Sequence, residues 1–148
     1  MATVNKRKGS AGLPWDGMNR HFTLYEEIDL AATEGVTANI IQCLDVPAHV
    51  RVMKTMVEII RTTVVATSMV ADVGYTGVVN AFDAAIDLEA ANKFVYQSTP
   101  SDVAPALGGA LFTAAGTIDL VLTTVGAITT APKFRIWAFC EYIPEHVT

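Results

Sequence analysis

Cysteine is nearly missing from this 148-residue chain: Cys43 and Cys140 are the only two, and they lie far apart in apolar runs. Each position suits a small buried hydrophobe, so the expectation is two free core thiols; a bridge would need two core strands that happen to align them. Nothing in this usage calls for an oxidising compartment, and cytoplasmic synthesis is the default. Histidine is equally scarce, with His21, His49 and His146 scattered. Cys43 and His49, or Cys140 and His146, lie six apart but lack a third or fourth ligand, so no zinc site is expected. A Gly-x-Ser-x-Gly elbow is missing, and neither Gly9 with Gly12 nor Gly108 with Gly109 is followed by the Lys-Ser/Thr of a phosphate loop. No run of about 18 apolar residues is present to form a membrane-spanning helix. The basic start has no apolar stretch behind it to act as a secretion signal. These absences predict a protein that is not an enzyme and takes no metal or cofactor.

What is abundant is β-forming material. Hydrophobic residues make up 51% of the chain and charged residues only 17%. Ala, Val and Thr dominate. From His21 onward, β-branched and aromatic runs alternate with Gly, Pro, Asn and Ser breaks, and predict strands over 22–30, 36–46, 49–59, 62–71, 77–82, 93–97, 108–113, 117–124 and 133–143. Such short strands at intervals of about ten residues predict an all-β fold, a jelly-roll-like antiparallel β-sandwich. The stretch 48–73 could also be written as a helix, with Val50, Met53, Val57, Ile60 and Val64 on one stripe. Twelve of the 21 residues from Val50 to Val70 are Val, Ile or Thr, which favours two strands. Residues 80–92 form a second helix candidate, with Asn80 as its cap. The segment 97–109, with two prolines and two glycines, reads as an exposed connection.

Two runs show period-two alternation most clearly. Ile118, Leu120 and Leu122 share a face that should be core. In 133–143, Phe134, Ile136, Ala138, Cys140 and Tyr142 share one face, and Arg135, Trp137, Phe139, Glu141 and Ile143 share the other. Both faces are apolar at mid-strand. Trp137 and Phe139 therefore mark either a subunit interface or a central strand covered by a loop.

Charge divides the chain into two regions. Residues 1–20 hold Lys6, Arg7, Lys8 and Arg20 against Asp16, a net +3, while 21–148 hold 6 basic and 14 acidic residues, a net −8. Gly9, Gly12, Pro14 and Gly17 break any periodicity in the first segment, so the expected organisation is an extended N-terminal arm, 1–20, and a sandwich domain, 21–148. The acidic domain argues against nucleic acid as main partner. Asp72, Asp83, Asp87 and Glu89 are hard oxygen ligands close in sequence, yet match no calcium loop and read as a solvated rim.

The arm KRKGSAGLPW from Lys6, DVPAHVRVMKTMVEI from Asp45, GTIDLVL from Gly116 and KFRIWAFCEYI from Lys133 together resemble, in composition and order of elements, the jelly-roll decoration (cement) proteins of tailed-phage capsids. The resemblance implies a structural virion protein on the capsid exterior, a homotrimer bound to the major capsid protein, with no membrane partner. It implies shell contacts for arm residues Lys6, Arg7, Lys8, Leu13 and Trp15, and a subunit interface at Trp137 and Phe139. Two alternatives use other classes of chemistry. A tail- or fibre-associated carbohydrate-binding sandwich would use exposed aromatics and the 97–109 loop. A small hydrolase would gather His49 or Cys140 with a carboxylate.

Overall fold

Val, Ile and Thr carry two groups on Cβ, which restrict χ1 and fit the pleated sheet better than the helix. In the computed structural model, which describes residues 1–5, 21–61, 64–65, 68–89, 94–96, 109–125 and 127–143, that preference holds throughout. Twelve strands form among the described residues: β1 (Thr3–Asn5), β2 (His21–Asp29), β3 (Ile40–Val46), β4 (Val50–Arg61), β5 (Val64–Val65), β6 (Met69–Tyr75), β7 (Val78–Asp87), β8 (Phe94–Tyr96), β9 (Ala110–Phe112), β10 (Gly116–Val125), β11 (Ile128–Thr130) and β12 (Lys133–Tyr142). The described helical structure is one 3-10 turn, Ala32–Glu34.

The strands form two main sheets. One runs β1-β3-β10-β6-β7; the other runs β2-β12-β4, with β8 and β9 pairing end to end along the far edge of β4. Setting aside β1 and the small β5–β11 pair, eight strand positions remain in chain order: β2, β3, β4, β6, β7, β8 with β9, β10 and β12. They pair as first-eighth-third-sixth and second-seventh-fourth-fifth. This is the double Greek key of a jelly roll, and it is antiparallel except for β1, which joins β3 in parallel.

Core residues come from the facing sides of both sheets. Phe134, Ile136, Ala138 and Cys140 of β12 and Val50, Val52, Val57 and Ile59 of β4 are buried, as are Ile118, Leu120 and Leu122 of β10 and Met69, Ala71 and Val73 of β6. The alternation in 117–124 thus identified the inward face of β10, that in 133–143 sorted β12 into its two sides, and the described part of 48–73 forms β4, β5 and the start of β6, as its β-branched content favours.

Three elements differ from the sequence expectations. Thr3–Asn5, within the expected arm, pair with Ile40, Ile41 and Gln42 of β3. The short β11 was not among the expected runs. The helix candidate at 80–92 is strand through Asp87, because pairing with β6 and burial of Phe82, Ile86 and Leu88 outweigh the helix preference of its alanines. A bulge accommodates it: Ala85 takes φ 59° and its N–H donates to Asp72 Oδ1 at 2.9 Å.

Candidate interaction surface

Direct cross-strand pairing puts opposed residues on the same side of a sheet, so the outward face of β2-β12-β4 can be read row by row. Arg135 stands between Glu27 and Glu58, Trp137 between Tyr25 and Met56, Phe139 between Thr23 and Lys54, and Glu141 between His21 and Arg51. Aromatic rows therefore occupy the middle, with charged rows above and below.

The middle is apolar and partly open. Tyr25 is 49% exposed and its ring lies 5.3 Å from that of Trp137 at a 43° tilt. Lys54 Nζ sits 5.0 Å from the centre of the Phe139 ring, a cation–π contact. The pairing of β12 with β4 skips one residue between Phe139 and Cys140, and Met53 is the extra residue of that bulge. Met53 is 38% exposed and widens the apolar area beside Phe139. Gly109 packs against the bulge: at φ 77° its Cα lies so close that a Cβ would fall 2.3 Å from the Val52 carbonyl oxygen.

The charged rows are closed within the face. Lys133 Nζ lies 2.6 Å from Glu27 Oε1, and Arg135 reaches Glu27 Oε2 at 3.1 Å and Glu58 Oε2 at 3.3 Å. Arg61 pairs with Asp29 at 2.5 Å, and Arg51 donates to Glu141, with His21 Nε2 3.7 Å from the same carboxylate. Hydrogen bonds from Lys133 and then Arg135 hold the Glu27 carboxyl below its ordinary value, and Glu27 in turn raises Arg135.

Trp137 and Phe139 lie on the same outward side of β12, each partly buried and flanked by side chains of the neighbouring strands. Lys6, Arg7, Lys8, Leu13 and Trp15, and all of the 97–109 loop but Gly109, lie outside the described residues. Tyr25, Met53, Met56 and Lys54 were missed by the sequence reading. Alternation in 22–30 could have found Tyr25, whereas the bulge that turns Met53 and Lys54 to the same side left no local signal.

Residues with potential chemistry are occupied elsewhere. Cys43 and Cys140 are buried and free, and each thiol donates to the carbonyl two residues earlier. Burial, and secondarily Asp119, pushes Cys43 well above the thiol range; burial pushes Cys140 up to about 12. Neither thiol is activated. His49 sits in the β3–β4 turn at φ 62°, its N–H donating to Phe112 O and its carbonyl accepting from Ile143. Among the acidic residues, Asp72 Oδ1 accepts from Ala85 N, Asp83 Oδ1 from Ala84 N and Asp87 Oδ1 from Glu89 N, so these carboxylates organise the β7 backbone. No group of three metal-binding side chains occurs among the described residues. A groove of about 660 Å³ between the β3–β4 turn, Thr76 and Ala115 to Thr117 holds one ionisable group, Asp45.

Comparison with known proteins places the fold. No family model and no curated protein matches the sequence. Among solved structures, the chain is similar to a chain in the capsid of Ralstonia phage GP4, with a TM-score of 0.71 at 13% identity over 95% of this chain and 97% of that one. A chain in the capsid asymmetric unit of cyanophage Pam1 gives 0.64 at 12% identity, covering 91% and 94%. A chain in the acid-stable capsid of the Helicobacter pylori bacteriophage KHP30 gives 0.51 at 12%, covering 82% and 88%. The class is therefore a jelly-roll β-sandwich of a kind present in phage capsids. The coverage runs nearly end to end in both directions, so the first two matched chains have about the length of this one.

Proposed function

We propose that this chain is a capsid decoration protein: a structural, non-enzymatic virion component, made in the host cytoplasm, that binds the outer surface of a phage shell and reinforces it through contacts with the major capsid protein. The observation that carries the reading is the end-to-end likeness to chains of similar length in phage capsids. An outward sheet face with an aromatic centre and a closed ionic rim supports it, because cementing requires buried area and specific contact rather than a reactive group. In this reading the chain acts as a homotrimer, with Trp137 and Phe139 in the contact between subunits. The basic arm residues Lys6, Arg7 and Lys8, with Leu13 and Trp15, lie against the shell, where three arms per trimer multiply weak contacts.

The test is to mix the purified chain with shells assembled without it and measure co-sedimentation, followed by imaging of the decorated particles. Stoichiometric attachment at defined lattice positions is expected. Because Thr3–Asn5 pair with β3, replacing Lys6, Arg7, Lys8, Leu13 and Trp15 by Ser is a cleaner test of the arm than deleting it. Attachment should be lost while the melting curve is retained; full attachment of that variant would refute the role given to the arm, and failure of the wild-type chain to attach would refute decoration.

A further inference from the structure

The end of the roll where the β3–β4, β6–β7 and β9–β10 connections meet carries a trough that attachment to a shell leaves unused. The groove of about 660 Å³ continues into a second hollow of about 240 Å³, because Thr76 and Ala115 to Thr117 line both. Direct pairing sets Thr117 of β10 opposite Asp45 of β3, and since the adjacent Ile118 is buried between the sheets, both residues stand on the outer side. Small side chains leave the space open: Ala48, Ala115 and Gly116 are in the lining. A Cβ on Gly116 would fall 2.9 Å from the Phe112 ring, so glycine lets that ring stand close to the strand. The surrounding turns are tied down, with His49 N–H donating to Phe112 O and Ile143 N–H to His49 O. A concavity built on a fixed scaffold in this way is the usual form of a ligand site.

We propose that this trough binds a neutral oligosaccharide, an activity separate from attachment to the shell. Its polar groups are the Gln42 carboxamide, the Asp45 carboxylate and the hydroxyls of Thr76, Thr113 and Thr117, a mixture of donors and acceptors. None of the described lining residues is Lys, Arg or His, so a phosphate, sulfate or carboxylate ligand meets a carboxylate and no cation. A cationic ligand finds a single carboxylate. A wholly apolar ligand would strip water from these groups and return no hydrogen bond. A neutral sugar meets every condition, because its hydroxyls both donate and accept while its CH faces pack on Pro47 and Ala115. Tyr75 and Phe112, set edge to face at 5.4 Å, add an aromatic wall in the second hollow.

A peptide also offers neutral donors and acceptors, but the geometry is against it. Extended peptides add to a strand edge and set alternate side chains into pockets. The trough instead crosses β3 and β10, which are already paired with each other at Asp45–Thr117 and Val46–Gly116, and runs on to Thr76 of the β6–β7 turn. It belongs to the β1-β3-β10-β6-β7 sheet and Trp137 to the other, so the saccharide site and the subunit contact use different sheets.

The experiment is a saturation-transfer NMR titration of the full chain with maltotriose, chitotriose, galactotriose and mannotriose, and with sialyllactose as an anionic counterpart. It is run on wild type, Ala115→Trp, Gln42→Ala and Tyr25→Ala, each with a thermal melt. At least one neutral trisaccharide should bind with a Kd between about 0.1 and about 10 mM. Ala115→Trp, which fills the trough from an exposed loop position, and Gln42→Ala should each weaken that binding at least about tenfold with folding retained. No binding of any of the four neutral sugars, tighter binding of sialyllactose, or undiminished binding in both trough variants overturns the proposal. Loss of binding in Tyr25→Ala alone also overturns it, by moving the site to the aromatic face. Capsid co-sedimentation of the same samples separates the two proposals: a chain that decorates shells and binds no sugar refutes the saccharide site and keeps decoration, whereas sugar binding without attachment does the reverse.

Discussion

At the scale of single residues, the ionisable groups follow their surroundings. Glu27 is held ionised by Lys133 and Arg135, so its folded value is depressed. A depressed carboxyl contributes stability that is present above its unfolded value and lost as pH falls through the folded one. Glu27→Gln should therefore lower the melting temperature near neutrality, and the difference should shrink below about pH 4, as a pH series of melting curves would show. Asp83 has the opposite sign. Burial, with a smaller contribution from Asp72, raises its carboxyl, so the charged form opposes folding above that raised value. Asp83→Asn, which keeps an oxygen for the Ala84 N–H, should raise the melting temperature at neutral pH and lose the advantage in acid. The thiols of Cys43 and Cys140 should react with an aromatic disulfide reagent only after unfolding; rapid labelling of the native chain would contradict their burial.

At the scale of elements, bulges and edges decide what each strand presents. Gly109 packs its backbone against Val52 and Met53 at the β4 bulge, and combines that closeness with a positive φ. Gly109→Ala meets a steric clash and a disfavoured backbone region together, and about 1–3 kcal/mol of stability should be lost in urea titrations. A loss near zero would mean that the close approach at position 109 does not require glycine. The β6–β7 hairpin turns through Thr76 and Gly77, where φ 90° is supplied by glycine at the second position. On the edge strand β2, Glu26 lies opposite core-facing Ile136 and so points along the inward side. A charge there discourages addition of a further strand to that edge. Glu26→Val should accordingly promote aggregation on heating, read by light scattering.

At the scale of the whole molecule, the two sides of β12 have separate tasks. Phe134 is fully buried between the sheets, and Phe134→Ala should cost about 3–5 kcal/mol in folding with little room for the cavity to collapse. Trp137, three residues on, lies on the open face beside Tyr25. Trp137→Ala should change chemical denaturation far less than Phe134→Ala and act mainly on assembly. Equal losses in folding would place Trp137 in the core and contradict the face described.

Much of the architecture was legible locally, because a strand's side chains alternate with a period of two. That period alone identified the inward residues of β10 and set Trp137 and Phe139 together on one side of β12, while the sandwich class came from the number and spacing of the strand runs. Composition and charge order also separated a basic start from an acidic body. Local patterning is silent on partners distant in the chain. The strandedness of 80–87 came from pairing with β6 against an alanine-rich preference for helix. The β4 bulge packs closely against Gly109, more than fifty residues away. The surface of Tyr25, Met53, Lys54 and Met56 around β12 exists only because the jelly roll places the eighth strand between the first and third. The sequence by itself determined the inward face of its most regular strands, since that follows from local period and hydrophobicity; only the tertiary structure decided that Thr55 and Asp119 are buried and which exposed residues stand together, since both depend on strand order and register.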